Sequence, residues 1–164
     1  MAERKVVSHE SAVPSLRSVG IVGGMGQWAT LDILERLLQA SVSFPIPQYG
    51  NRGYPKINVT MLNKAPMLLN ADGSYPEILT PSPELLAAAQ YIGEQSDLLI
   101  VTSHTAHLFA DKIERAAGKT LVSMVAVTVD EVKRRGIKNV GLLAIGLTVD
   151  KKLFQSPLES LGIN

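Results

Sequence analysis

Two histidines and three hydroxyl residues lie close together where an apolar run of the sequence ends. The run ends at Val101, and Thr102-Ser103-His104-Thr105-Ala106-His107 follows it. A helix that begins after a buried strand offers free backbone N–H groups, and hydroxyl side chains add donors that suit a carboxylate. An imidazole beside such a ligand is able to move a proton near neutral pH. We therefore predict a substrate site with Ser103, His104 and His107 as candidate catalytic residues.

Simpler interpretations of this cluster stay open. Serine and threonine are common N-cap residues, and capping alone needs neither histidine. His104 and His107 have the spacing of a metal-ligand pair, but the sequence places no third ligand, so we expect no metal. Ser103 and His107 could form a nucleophile–base pair of a hydrolase, although no orienting acid and no Gly-x-Ser-x-Gly turn accompany them.

A glycine-rich turn, Gly23-Gly24-Met25-Gly26, follows the first apolar run of the sequence. Glycine permits a tight turn and lets a ligand approach the bare backbone. With Ala29 the turn also fits the Gly-x-Gly-x-x-Ala pattern of dinucleotide-binding proteins, but the second strand lacks the acidic residue that would hold the ribose. We expect a small anion here, bound by Gly24, Met25 and Gly26, and no nicotinamide or flavin. A close turn without a ligand is the alternative.

Two more polar residues follow apolar runs. Lys64 comes after Ile57–Met61, and Thr148 comes after Val140–Ile145. Because the carboxyl ends of parallel strands meet at one edge of a sheet, we expect these side chains to face one cleft. We predict Lys64, Thr105 and Thr148 as substrate-binding residues, and the alternative for the lysine is an exposed charge.

Short apolar runs alternate with longer helical patterns along the sequence, which is typical of βαβ units on a parallel sheet. These elements would position the residues named above. We predict strands over 19–22, 57–61, 98–101, 121–124 and 140–145. We predict helices over 30–43, 83–95, 106–116, 125–135 and 149–161. Ser82 caps the start of the second helix, and Gly118, Gly136 and Gly162 mark the ends of the last three. The predicted fold class is α/β with a flavodoxin-like parallel sheet.

The predicted elements divide the chain into three parts. Residues 1–18 are expected to form a flexible lead-in, 19–118 a first α/β domain, and 119–164 an incomplete second domain of similar type. A strand at 140–145 would lack neighbours, and an unpaired apolar edge invites association. We therefore expect either more chain after Asn164 or pairing with another copy.

Composition limits the class of protein. The chain has 164 residues, 46% of them hydrophobic and 19% charged, with a formal net charge of +1. These values are ordinary for a soluble globular domain, and they do not favour a nucleic-acid partner. We expect no membrane partner, since no run approaches the roughly 18 apolar residues of a spanning helix. Cysteine is absent, so disulfides and thiolate metal sites are excluded, and cytoplasm is the expected location.

Together these motifs resemble those of the aspartate/glutamate racemase family, the cofactor-independent amino-acid racemases. The similar stretches, which stand in the family's order, are Val19–Gly26, Thr102–His107, Val140–Ala144 and Thr148. The family's Pro-Cys-Asn-Thr-Ala-His junction corresponds to Thr102–His107. Ser103 therefore stands where the family has a cysteine, and His104 stands where it has an asparagine.

The resemblance implies two similar α/β domains with the active site in the cleft between them. It implies that two cysteines face the α-carbon of an acidic amino acid, one removing a proton and the other returning one, without pyridoxal phosphate or another cofactor. The expected function is amino-acid racemase or isomerase activity, impaired here because a serine hydroxyl does not ionise as a thiol does. The alternatives are a carboxylate-binding module that has lost catalysis and a one-cysteine decarboxylase-like relative. We also expect a homo-oligomer, a homodimer in the simplest case.

Overall fold

A parallel sheet of three strands forms the centre of the first part of the molecule, in a computed structural model that describes residues 16–46 and 53–164. The strands are β1 (Val19–Gly23), β2 (Ile57–Met61) and β3 (Leu98–Val101), in the order β2-β1-β3. All three lie where the sequence predicts them. The predicted α/β fold with a flavodoxin-like parallel sheet is confirmed, whereas most of the predicted lead-in, residues 1–15, lies outside the described residues.

The register of the sheet brings the ends of the strands to one level. Val22 of β1 pairs with Thr60 of β2 on one side and with Val101 of β3 on the other. The loops that leave the three strands therefore begin at the same edge. This is the edge where ligands bind in open α/β sheets.

The described residues form four helices longer than two turns: α1 (Gln27–Val42), α2 (Pro83–Gly93), α3 (Ala110–Ala117) and α4 (Met124–Arg134). Helices α2 and α3 pack against each other and against one face of the sheet. Helix α2 begins at the predicted cap, since the Ser82 hydroxyl accepts a hydrogen bond from the backbone N–H of Leu85 at 3.2 Å. A 3-10 helix, Thr105–Phe109, precedes α3, so the single helix predicted over 106–116 is split in two.

Two of the predicted strands differ from the structure. The strand predicted over 121–124 is reduced to one parallel bridge between Leu99 and Leu121, because the Ser123 hydroxyl caps α4 and the chain becomes helical at Met124. The strand predicted over 140–145 is wrong. Within the described residues nothing pairs with it along its length, and extended backbone without a neighbour is not a strand.

The region that follows α4 ends in two short helices, α5 (Gly146–Asp150) and α6 (Gln155–Glu159), where the sequence predicts one helix over 149–161. Near the end of the chain, Asn164 accepts a hydrogen bond from the backbone N–H of Val140 at 2.6 Å and donates one to the Lys138 carbonyl at 2.9 Å. These two hydrogen bonds hold Asn164 beside the start of the extended segment.

Two hydrophobic clusters fill the interior. The larger lies between the sheet, α2 and α3, and it also includes Leu147 of α5. The smaller consists of four buried residues, Val129, Phe154, Leu158 and Ile163. The domain boundary at 118/119 stays a prediction. In the part of the chain that the structure describes, no helix is long and apolar enough to span a membrane.

Candidate active site

A cleft of about 310 Å³ lies where the loops after β1 and β3 approach the first turns of α4 and α5. Its walls are formed by Met25, Ala29, Thr102, Ser103, His104, Thr105, Met124, Ala144, Ile145 and Thr148. Five residues predicted from the sequence therefore meet here: Met25, Ser103, His104, Thr105 and Thr148. The other four, Gly24, Gly26, Lys64 and His107, do not line the cleft.

The glycine turn after β1 is shaped by close backbone contact. Gly24 has a φ of +81°, and a Cβ at this position would lie 2.2 Å from the carbonyl oxygen of Leu62. Glycine is therefore required on two grounds, conformation and space. Gly26 precedes α1, and a Cβ there would meet nothing nearer than Ala29 at 3.7 Å.

Two buried threonines join this turn to the end of β3. The Thr30 hydroxyl accepts a hydrogen bond from the backbone N–H of Gly24 at 3.1 Å and lies 2.8 Å from the hydroxyl of Thr102. Thr30 is fully buried. Thr30 is not among the residues predicted from the sequence; the available signal was a polar residue four positions after Gly26, in the first part of an apolar helix.

The turn after β3 carries two hydroxyl groups side by side. The Oγ of Ser103 lies 3.3 Å from the Oγ1 of Thr105, and both residues line the cleft. The backbone N–H of Thr102 donates to the Val22 carbonyl at 3.1 Å, which holds this turn against β1. The hydroxyls are thereby placed on a fixed part of the sheet.

His104 supplies the imidazole of the cleft. Its ring meets the ring of Phe154 edge to face, with centroids 5.3 Å apart and an interplanar angle of 90°. The side chain is exposed, and it also lines a neighbouring apolar cavity of about 520 Å³. The ring is thus supported on one side and accessible to a ligand.

His107 is buried, and both of its ring nitrogens contact the backbone. Nδ1 lies 2.8 Å from the carbonyl oxygen of Ser103, and Nε2 accepts a hydrogen bond from the N–H of Met124 at 3.1 Å. Burial lowers the pKa of His107, which favours the neutral ring. The acid–base role predicted for His107 would require one of these contacts to open, and it stays a prediction.

Thr148 places a hydroxyl without a partner against the cleft. The residue is 1% exposed, and its oxygen has no hydrogen-bond partner among residues 16–46 and 53–164. A buried hydroxyl that makes no hydrogen bond costs about 1–3 kcal/mol relative to a paired one. This oxygen is therefore able to form a hydrogen bond with a group that enters the cleft.

Lys64 lies away from the cleft in this structure. Its ammonium group pairs with the carboxylate of Glu84 on α2, and this contact lowers the pKa of Glu84. A ligand role for Lys64 would require that pair to separate, and it also stays a prediction. Within the described ranges, no group of three or more histidine, aspartate and glutamate side chains is arranged to hold a metal.

The chemistry open to this cleft follows from its side chains. Ser103, Thr105 and Thr148 offer hydroxyl donors, which suit the oxygens of a carboxylate. The imidazole of His104 adds a ring nitrogen that is able to act as a general base toward a ligand beside them. Hydroxyl donors and one accessible base are thus combined at the end of a rigid sheet.

The chain is similar to known proteins in sequence and in fold. A family model described as Asp/Glu/Hydantoin racemase matches residues 22–164. The fold is similar to that of Picrophilus torridus aspartate racemase, with a TM-score of 0.72, 23% identity and 90% of this chain covered. It is also similar to an aspartate racemase homologue from Pyrococcus horikoshii, with a TM-score of 0.66, 22% identity and 91% covered. The chain spans 61% and 63% of the lengths of these two structures, respectively.

Proposed function

The chain belongs to the Asp/Glu/hydantoin racemase family, and on this premise we propose that the cleft is an amino-acid racemase site that works on an acidic amino acid without a cofactor, with impaired proton transfer. The observation that carries the proposal is the convergence of Ser103, Thr105 and Thr148 with the exposed imidazole of His104. Proton transfer at the α-carbon of an amino acid needs groups that bind the substrate carboxylate and a group that accepts the α-proton.

The hydroxyls bind the α-carboxylate of the substrate in this proposal. Ser103 and Thr105 donate from the turn after β3, and Thr148 donates from the opposite wall. The partnerless Thr148 hydroxyl supports this role, because a ligand oxygen would replace the hydrogen bond that the folded chain does not supply. The carboxylate then accepts the negative charge that develops when the α-proton leaves.

Proton transfer is expected to be slow, because the side chain at the position of the family's cysteine is a serine. A thiol is a far stronger acid than an aliphatic alcohol, so Ser103 does not supply the anionic base that a cysteine would. We propose His104 as the base: a ring nitrogen removes the α-proton, and the same nitrogen then returns a proton to the same face. One base on one face gives exchange with solvent and little inversion.

A second candidate function is a carboxylate-binding module without turnover. It is favoured by the absence of cysteine from all 164 residues, because a hydroxyl-lined cleft suffices to bind a carboxylate. Both functions predict binding of acidic amino acids, and they differ in what happens to the α-proton.

Deuterium exchange separates these possibilities. The protein is incubated with each enantiomer of aspartate and glutamate in D₂O, and the α-proton signal is followed by NMR while chiral chromatography measures inversion. The racemase proposal predicts slow loss of the α-proton signal, which His104→Gln abolishes. Binding without exchange supports the module instead, and exchange that persists in His104→Gln contradicts the assigned base.

A further inference from the structure

The buried ring of His107 connects two walls of the cleft. Nδ1 lies 2.8 Å from the Ser103 carbonyl oxygen, and Nε2 lies 3.1 Å from the backbone nitrogen of Met124. Ser103 belongs to the turn after β3, Met124 is the first residue of α4, and both line the cleft. His107 itself is 7% exposed and is not part of the lining.

These two contacts determine where the proton of the ring resides. A backbone N–H only donates, so Nε2 must be the accepting nitrogen opposite Met124. A carbonyl only accepts, so Nδ1 must carry the proton opposite Ser103. The other tautomer would place two donors against each other and two acceptors against each other. The neutral ring with its proton on Nδ1 is therefore the form that satisfies both contacts.

We infer that His107 is a positioning residue whose neutral ring fixes the distance between the Ser103 turn and the first turn of α4, and with it the width of the cleft. The hydrogen bond between Met124 and His107 connects the turn after β3 directly to the start of α4, in addition to the bridge between Leu99 and Leu121. The inference rests on the proposed function only in assigning a ligand to the cleft, because the link itself is a property of the folded chain.

A second proton on the ring would disconnect α4. It converts Nε2 into a donor, which no longer accepts from the N–H of Met124. Burial, which lowers the pKa of the ring, outweighs a hydrogen bond with the Val122 backbone that favours the charged ring and raises the pKa. The charged or titratable groups around the ring are His104 in the preceding turn and, on α3, Asp111, Lys112 and Arg115, which share a surface cavity with it. The four residues of β3 and the first turn of α4 contain no titratable side chain.

The direction of the pH dependence follows from the burial of the ring. Burial is the largest cause of the lowered pKa of His107, and a charge on His104 acts in the same direction. The folded state therefore binds the proton less readily than the unfolded state, in which the pKa is about 6.5. The stabilisation by the link is fully present above about pH 6.5 and is lost as the pH falls toward the lowered folded value.

Two measurements on the full chain test the inference without any ligand. Long-range ¹H–¹⁵N NMR of the wild-type protein identifies the tautomer of His107, and we expect the proton on Nδ1. Thermal unfolding between pH 7.5 and pH 5.5 then compares the wild type with His107→Gln and His107→Leu. A glutamine carboxamide offers one donor and one acceptor and does not titrate, so it is the variant that should restore the link.

At pH 7.5 we expect His107→Gln to unfold within about 2 °C of the wild type and His107→Leu to unfold roughly 4–8 °C lower. At pH 5.5 the wild type should lose Tm relative to His107→Gln. His104→Gln is the control: His104 is exposed and makes neither contact, so the variant should still lose Tm at low pH, with the loss shifted slightly to higher pH because the charge that lowers the pKa of His107 is gone.

Three results would overturn the inference: a proton on Nε2, equal pH profiles for the wild type and His107→Gln, or a Tm for His107→Leu equal to that of the wild type. Should the variants fail to fold, the tautomer of the wild type alone decides. A protein that binds no carboxylate but shows the expected tautomer and pH profile would refute the proposed function and leave the link intact.

Discussion

The chemistry available at position 103 depends on how readily its side chain loses a proton. A cysteine thiol has a pKa of about 8.5, so part of it is thiolate near neutral pH, whereas an alcohol is not ionised. The Oγ of Ser103 lies in the cleft beside Thr105, where a thiol would reach the same ligand. A cysteine at position 103 would therefore be able to act as a base, whereas Ser103 is not.

Replacing this serine by cysteine should accelerate proton exchange. We expect Ser103→Cys to increase the rate of α-deuterium exchange on an acidic amino acid by about 10²-fold, in the range typical of general-base catalysis. Ser103→Ala is the matched control and should exchange no faster than the wild type. Equal rates for the cysteine and alanine variants in D₂O would contradict the placement of Ser103 at the reacting carbon.

The partnerless hydroxyl of Thr148 predicts opposite effects on stability and on binding. Thr148→Val keeps the shape of the side chain and removes a buried oxygen that no described residue satisfies. We expect the free energy of unfolding to rise by about 1 kcal/mol in urea, while carboxylate affinity measured by calorimetry falls by roughly tenfold. A variant that is less stable and binds equally well would show that Thr148 has no ligand role.

Some site residues were predictable because strand ends converge, and others were not. Met25, Ser103, His104, Thr105 and Thr148 follow apolar runs, and the rule for parallel sheets brings such residues to one edge. The ion pair of Lys64 with Glu84 and the hydrogen bond of His107 with Met124 join residues that are 20 and 17 positions apart. A single sequence contains no signal for contacts of this kind.

At the scale of elements, the same apolar pattern gives different structures at two places. β1 and the segment 140–145 both begin with valine, glycine and aliphatic residues. β1 lies between two strands and is buried throughout, whereas Leu143 in the second segment is fully exposed. The pattern predicts apolar extended chain, and a neighbouring strand decides whether that chain joins a sheet.

The turn between β1 and α1 should tolerate substitution at one glycine and not at another. Gly24→Ala introduces a Cβ 2.2 Å from the Leu62 carbonyl at a φ of +81°, so we expect a loss of about 2–4 kcal/mol in the free energy of unfolding. Gly26→Ala meets no atom within 3.4 Å and should cost less than about 1 kcal/mol. Urea denaturation of both variants measures the difference, and similar losses would contradict the turn geometry.

At the scale of the whole molecule, the two hydrophobic clusters of the described residues are unequal and separate. The larger one holds the sheet with α2 and α3, and the smaller one is centred on Phe154 and Leu158. Phe154 also contacts the His104 ring, so the smaller cluster supports one side of the cleft. This division between the clusters differs from the domain boundary predicted at 118/119, because Leu121 and Leu147 belong to the larger cluster. We expect the smaller cluster to be able to open while the larger one stays folded.

Truncation of Phe154 tests that division. We expect Phe154→Ala to cost about 3–5 kcal/mol, since the side chain is 6% exposed. Hydrogen exchange should then lose protection in α4 and α6 while β1 and β3 keep theirs. Leu143→Ala, at a fully exposed position, is the control that should change nothing. A uniform loss of protection in both clusters would show a single cooperative unit.

Other properties of the whole molecule are not encoded in local patterns. The α/β class and the order of the motifs were predictable from the alternation of apolar runs and helices. Assembly depends on surfaces and on partners, so the homo-oligomer and the cytoplasmic location stay predictions. Light scattering of the purified protein measures the number of copies directly.

The most direct test of the central claim, a carboxylate site at the end of the sheet, is an NMR titration of the ¹⁵N-labelled protein with L-aspartate. Aspartic diamide, which has no carboxylate, is the matched control. We expect aspartate at millimolar concentration to shift the amide signals of residues lining the cleft, above all Ser103, Thr105 and Thr148, and the diamide to leave them unchanged. Shifts that are absent, lie elsewhere, or are equal for the two compounds would contradict it.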